Sequence, residues 1–159
     1  PSRPIGITGV LPVVRAVAFP DDGSGDLLTV HGVDLARDEA VRVYHATAGD
    51  GVVGGDLVEF LNRPDSIILG REWAESRGLA VDDTVRLATP RGVQTFTGRG
   101  LLEAQGLART LGGRLVVMDL FAAERAFADE GQVSQIDVLL APGQAPEQVR
   151  RTLLERLPT

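Results

Sequence analysis

The last third of the chain leaves little freedom in how it folds. "RLVVM" (114–118) is short and apolar enough for a buried strand, and Asp119 follows where a helix start wants a side-chain acceptor for its free amide groups. "LFAAERAFADE" (120–130) repeats at helical spacing and stops at Gly131. "SQIDVLL" (134–140) alternates as a strand, "APG" turns the chain, and Pro146 sits in the first turn of a closing helix. In that helix Val149, Leu153, Leu154 and Leu157 share a face. A strand–helix–strand–helix tail excludes all-α and all-β folds and calls for a sheet with helices packed on it.

The front of the chain is β-rich. "GVLPVVRAVAF" (9–19) and "DLLTVHGVDL" (26–35) are joined by "PDDGSGD", a dense turn signal, and predict a hairpin. "EAVRVYHA" (39–46) fits a third strand or a short helix, and the glycine-rich "TAGDGVVGGD" (47–56) a loop. "SIILGREWAESRGL" (66–79) predicts a buried strand running into a short helix that stops at Gly78, where φ > 0 is wanted. "DTVRLATPRGVQTFTGRGLL" (83–102) returns to period two around a "TPRG" turn, a second hairpin with Val85 and Leu87 on one strand and Val93 and Phe96 on the other. The expected fold class is α+β in two lobes. Residues 1–62 and 113–159 form a βαβα-type lobe from both chain ends, and 63–112 an inserted, smaller β-rich lobe with one short helix.

Charge and composition exclude several classes of function. The net charge of −6 and the pI near 4.9 argue against a nucleic-acid partner, whose phosphates call for a basic face. Cysteine is absent, which removes disulfides, thiolate zinc sites and cysteine nucleophiles together. No window approaches the roughly 20 apolar residues of a membrane helix. The chain begins with Pro1 rather than Met, as expected of a piece excised from a longer protein.

Candidate chemistry is sparse. The adjacent Asp82 and Asp83 look like a paired-carboxylate site, but neighbours on an extended chain point to opposite faces, and aspartates favour turns by bonding nearby amides. His31 and His45 are the only histidines and lack metal-ligand spacing. Ser2, Ser24, Ser66, Ser76 and Ser134 have no nucleophile-elbow setting. "AGDGVVGGD" lacks the Lys-Ser/Thr ending of a phosphate-binding loop. The helix carrying Phe121 and Phe127 fits a core element better than a partner-binding one. No catalytic, cofactor-binding or metal-ligating residue is nominated, and no cofactor is expected.

Taken in order, several stretches resemble the extracytoplasmic domain of FtsX/MacB/LolE-type ABC transporter permeases. "GVLPVVRAVAF" is similar to that family's "GV-x-x-V-x-P" strand entry, and "VHGVDL" to its "v-x-GVD". "IILGREWAESRGLAVDDTVRL" is similar to its "vllg-x-x-lA-x-x-lGl-x-vGDtv-x-l". "LVVMDLFAAERAFADEGQVSQIDVLLAPGQAPEQVRRTLLERLP" resembles its closing block, so the likeness covers most of residues 9–158. Two departures stand out. Only eight residues precede Gly9, where the family has a strand and a helix, and the family's Gly-Asp turn is spelled Asp82-Asp83.

The resemblance implies a non-catalytic domain on the periplasmic or extracellular face of the cell membrane, soluble as an isolated fragment. It implies ATP hydrolysis in a separate cytoplasmic ABC ATPase and a second permease copy in the membrane. It also implies an extracytoplasmic protein, or a lipoprotein, lipid or peptide cargo, to which helix motion is coupled. Binding surfaces are expected on loops, with 47–56 and 101–112 favoured. The alternative is a cofactor- or ligand-binding domain like the double-psi β-barrels of molybdopterin enzymes, which "GLAVDDTVRLATPRG" also resembles. Such a barrel should continue as strands, whereas 114–157 alternates strand and helix.

Overall fold

β1 (Ile7–Pro20) is a 14-residue strand whose later residues pair on both edges, and this sets the architecture. The computed structural model describes residues 6–35, 57–102, 109, 111–128 and 132–157. The other strands are β2 (Leu28–Val33), β3 (Ser66–Gly70), β4 (Thr84–Thr89), β5 (Gly92–Leu102), β6 (Leu115–Asp119) and β7 (Gln135–Leu140). The helices are α1 (Leu57–Asn62), α2 (Arg71–Ser76), α3 (Leu120–Phe127) and α4 (Pro146–Arg156). The fold is α+β. Its contacts gather into two compact units, one of residues 12–135 and one of residues 1–11 with 136–159.

In the larger unit the strand order is β2-β6-β3-β5-β4-β1, and β1 pairs again with β2, so the ladder closes into a six-stranded ring. β1 runs antiparallel to β2 through Val13↔Val33 to Ala18↔Leu28, then antiparallel to β4 through Phe19↔Ala88 and Pro20↔Leu87. The β1–β2 and β4–β5 hairpins are those the turn signals predict. The parallel pairs β2–β6 and β3–β5 join segments far apart in sequence.

Side chains alternate across each strand, so every stave has an inner and an outer set. The inner set forms one buried cluster to which all six staves contribute, among them Val14, Leu28, Ile67, Leu87, Phe96 and Met118. A second cluster lies on the outer wall, where Val13, Val33, Ile68 and Val117 pack with Phe60 of α1. Phe96 lies inside, while Val93, three residues away on β5, is 45% exposed. A three-residue step along a strand places the two on opposite faces.

The helices end as their local chemistry dictates. α2 stops at Gly78 (φ 67°), whose N–H donates to the Glu75 carbonyl at 3.1 Å while that of Leu79 donates to Ala74 at 2.9 Å. At α3 the Asp119 carboxylate accepts from the Phe121 N–H at 3.2 Å, the expected N-cap. α3 ends at Phe127, and Gly131 lies outside the described residues, as do 39–56. Ala122, Ala123 and Ala126 bury one face of α3, and Ala123 sits where a side chain on Gly32 would have to go. Phe127 stacks on Phe96 with ring centroids 6.4 Å apart.

In the smaller unit the Ala141 N–H donates to the Gly6 carbonyl at 2.7 Å, and the Thr8 hydroxyl donates to the Leu139 carbonyl at 3.3 Å. α4 begins at Pro146 as expected, but its apolar face is covered unevenly. Val149 is buried, Leu153 is half-buried, and Leu154 and Leu157 are exposed.

Gly32→Ala is expected to drive a methyl into Ala123 and lower the unfolding free energy by about 1–3 kcal/mol. Urea unfolding checks this: the midpoint should fall with an unchanged slope.

Candidate functional site

The two adjacent aspartates form a corner. Asp82 holds φ 73°, a left-handed conformation that glycine adopts without strain, and it is the non-glycine residue that does so among those described. Its N–H donates to the Gly98 carbonyl at 2.8 Å. Asp83 turns its carboxylate back to accept from the Ala80 N–H at 2.8 Å, and its own N–H donates to the Ala80 carbonyl at 3.1 Å. The Gly98 N–H donates to the Asp83 carbonyl at 2.9 Å, so the corner is stitched to β5. Backbone geometry thus occupies both residues, in agreement with the turn reading.

The other candidates are dispersed. His31 is buried on β2, opposite Arg15 on β1, and His45 lies outside the described residues. The Ser24 hydroxyl accepts from the Asp26 N–H at 3.2 Å, and that of Ser76 donates to the Trp73 carbonyl at 2.6 Å. Buried Ser66 accepts from Arg99 Nε at 2.7 Å, and the Ser134 hydroxyl bridges the Arg15 N–H and carbonyl, each at 3.1 Å. Ser2 lies outside the described residues, as does segment 47–56. Of segment 101–112, Leu101 and Leu102 close β5, and residues 103–108 and 110 lie outside. Among the described residues no cluster of three or more His, Asp or Glu is placed to hold a metal ion.

The residue group that sequence reasoning missed is centred on Arg77, just past the end of α2. Its guanidinium bridges the Asp22 and Asp26 carboxylates of the β1–β2 turn and donates to Ser24 Oγ at 3.0 Å. The same guanidinium lies 5.2 Å from the ring centre of Trp73, the chain's one tryptophan, whose Nε1 donates to Asp26 at 3.2 Å. The group frames an open cleft of about 300 Å³ that is also lined by Leu79, Val85 and Arg86. The Arg77 side chain is 24% exposed, and its partners 41% and 34%, so each ion pair contributes at most about 1 kcal/mol and the stacking a similar amount. The acidic "DDGSGD" turn and the arginine after the helix are the sequence signal for this contact, but their pairing spans some fifty residues.

The titration of Asp119 is displaced. Burial pushes its carboxyl above the ordinary Asp range, and the nearby Asp34 charge adds to that, while the Phe121, Leu35 and Ala122 N–H groups oppose it. The carboxylate ties the end of β2 to the start of α3, at the "GVD" motif.

The described fold is a closed mixed ring with helices packed on it, its polar side chains engaged at corners and caps, and this is the class of domain that transporter permeases carry outside the membrane. The chain belongs to the family of MacB-like periplasmic core domains, whose pattern it matches over residues 2–156. An uncharacterized ABC transporter permease protein of Mycobacterium tuberculosis is 33% identical over 86 residues, covering 54% of this chain and 10% of the permease. The chain therefore matches about a tenth of that relative's length. Among solved structures, it is similar to the extracellular domain of the noncanonic ABC-type transporter YknZ from Gram-positive bacteria. The TM-score is 0.59 at 16% identity, over 92% of this chain and 71% of that one. It is also similar to the periplasmic region of MacB from Actinobacillus actinomycetemcomitans, with a TM-score of 0.60 at 11% identity over 94% of this chain and 65% of that one. At these identities the structures speak for the fold.

Asp82→Gly is expected to leave stability level or raise it by up to about 1 kcal/mol, whereas Asp82→Val loses on the order of 1–2 kcal/mol. Asp83→Ala loses about 1 kcal/mol with its bond to Ala80. Thermal unfolding of the three variants measures these differences.

For Asp119 the folded pKa is raised, so its stability contribution is fully present below the ordinary Asp pKa of 3.8 and is lost as pH rises through the folded value. Asp119→Asn keeps an acceptor for Phe121 and discards the charge. Relative to the parent chain, the variant should gain stability across the window just above the ordinary Asp range and stay level beyond it. Denaturant midpoints measured from pH 3 to 8 check the sign.

Proposed function

We propose that this chain is the extracytoplasmic, non-catalytic domain of an ABC transporter permease, and that it couples membrane-helix motion to an external cargo or partner protein. The observation that carries the reading is the match to MacB-like periplasmic core domains over nearly the whole chain. No helix among the described residues is long and apolar enough to cross a membrane. In this reading anchoring falls to segments of the parent protein, and ATP hydrolysis to a separate cytoplasmic ATPase.

Coupling requires a body that moves without deforming. The closed ring supports that role. Each stave is hydrogen-bonded on both edges, and one densely packed cluster fills the interior, so sliding one strand past another breaks ladder bonds and core contacts together. Such a body passes on displacement with little loss. The external partner is of the protein, lipoprotein, lipid or peptide class, and a second permease copy sits beside the first in the membrane.

Two experiments on the full-length parent test this. With other cysteines removed, Glu147→Cys on exposed α4 is expected to react with a membrane-impermeant maleimide in intact cells; labelling only after lysis overturns the location. Replacing the domain with a glycine–serine linker should abolish transport while the ATPase still copurifies. Retained transport overturns the coupling.

A further inference from the structure

The outer wall of the ring is covered along only part of its circumference. Under α1 the outward residues are sealed with Phe60. Near the end of β1 the same face is open, with Val17 46% and Phe19 45% exposed. Register places Phe19 opposite Ala88 and Ala88 opposite Val93, while the pair Ala18↔Leu28 brings Leu27 level with Phe19 on the other side. Directly opposed residues of antiparallel strands point the same way, so Leu27, Phe19, Ala88 and Val93 make one apolar row across the ring, with Val17 beside it. Leu27 and Val93 are each 45% exposed.

Along β1 this face carries a charge order that reads the same under a half-turn with its signs exchanged. Residues 15, 17, 19 and 21 point outward in succession and are Arg, Val, Phe and Asp. Asp21 holds that side because its N–H donates to the Arg86 carbonyl at 2.9 Å and its carboxylate meets the Arg86 guanidinium at 3.3 Å. Neither end charge is locked. The Asp21 and Arg86 side chains are 40% and 64% exposed, so water and salt screen their pair, and Arg15 reaches Gln135 only at 3.5 Å.

We propose that this row docks a second copy of the chain about a two-fold axis passing beside Ala18. In an isologous contact residue i meets residue j and j meets i. A half-turn about that point sets Arg15 against the partner's Asp21, Asp21 against the partner's Arg15, and Val17 against the partner's Phe19. The apolar middle then leaves water while each end gains an opposite charge. An acidic or basic ligand would satisfy one end and repel the other, so the charge order selects a second copy. The inference goes beyond the permease reading, and its test uses the isolated chain, so either can fail alone.

Sedimentation equilibrium over a dilution series is expected to show a monomer–dimer equilibrium. Arg15→Asp and Asp21→Arg should each weaken self-association at least about tenfold, because each sets like charges against each other twice. Mixing the two variants should restore association, since an acidic pair then faces a basic pair. A parent chain that stays monomeric at millimolar concentration, or a mixture no tighter than either variant alone, overturns the proposal. So does a monomer that binds phosphatidylglycerol vesicles in a manner lost with Phe19→Asp. Should a charge variant fail to fold, the cysteine-free chain offers a second route. Val17→Cys and Phe19→Cys should cross-link with each other faster than either does with itself, and the absence of that preference overturns the two-fold geometry.

Discussion

Everything in the larger unit depends on β1 pairing twice. Val13 to Ala18 lie against β2, and Phe19 and Pro20 continue onto β4, so one strand closes a ring that would otherwise be an open sheet with two free edges. Closure joins β1 to β4 through Phe19↔Ala88 and Pro20↔Leu87 and gives the interior a fixed volume. That volume explains the small residues at the contacts. Gly32 yields to Ala123 of α3, and a side chain on Gly70 would run into the Gly113 carbonyl. Both glycines lie at strand positions, where glycine ordinarily weakens a ladder, so close approach is what they contribute.

Polar chemistry in this chain is used where the ring has to be entered or left. Arg77 clamps the β1–β2 turn to α2, Asp83 closes the corner before β4, and Asp119 caps α3 at the end of β6. The Thr97 hydroxyl donates to the Asp65 carboxylate at 2.8 Å, and Arg99 reaches Ser66, fixing the entry to β3 beside the register shift at Ile67/Ile68. Each of these bonds spends a group that would be a candidate nucleophile, base or ligand if it stood free. The relay proposed for this domain calls for connections stiffer than surfaces, and this distribution of polar side chains suits that requirement.

How much of this was legible depended on range. Gly78, Asp119, Pro146 and the two hairpin turns act through bonds to residues a few positions away, so the chain states them locally. The Asp82–Asp83 corner was legible for the same reason, although only the backbone reveals that Asp82 pays the left-handed strain. The parallel pairings β2–β6 and β3–β5 were not legible, because a parallel ladder leaves no turn signal between its partners. Strand–helix alternation after residue 114 argues against a barrel, yet β6 is a stave of the closed ring, inserted between β2 and β3. Arg77 escaped notice because charge pairs distant in sequence have no periodicity to betray them.

Ring closure alone does not carry the cofactor-binding alternative, since one architecture hosts unrelated functions and the site has to be argued from its side chains. The described cleft beside Trp73 has its central charges already paired, Arg77 with Asp22 and Asp26. A ligand entering there must compete with those pairs, one charge at a time. The apolar row over Phe19 is different. Its residues make no polar bond through their side chains, so covering it costs only the loosely held charges at its rim and returns the apolar area to a dry contact. A closed ring cannot recruit a partner through a free strand edge. Within the ring, association through a wall of side chains is then the open route, and on this wall the exposed apolar residues and the charges on either side of them share one strand.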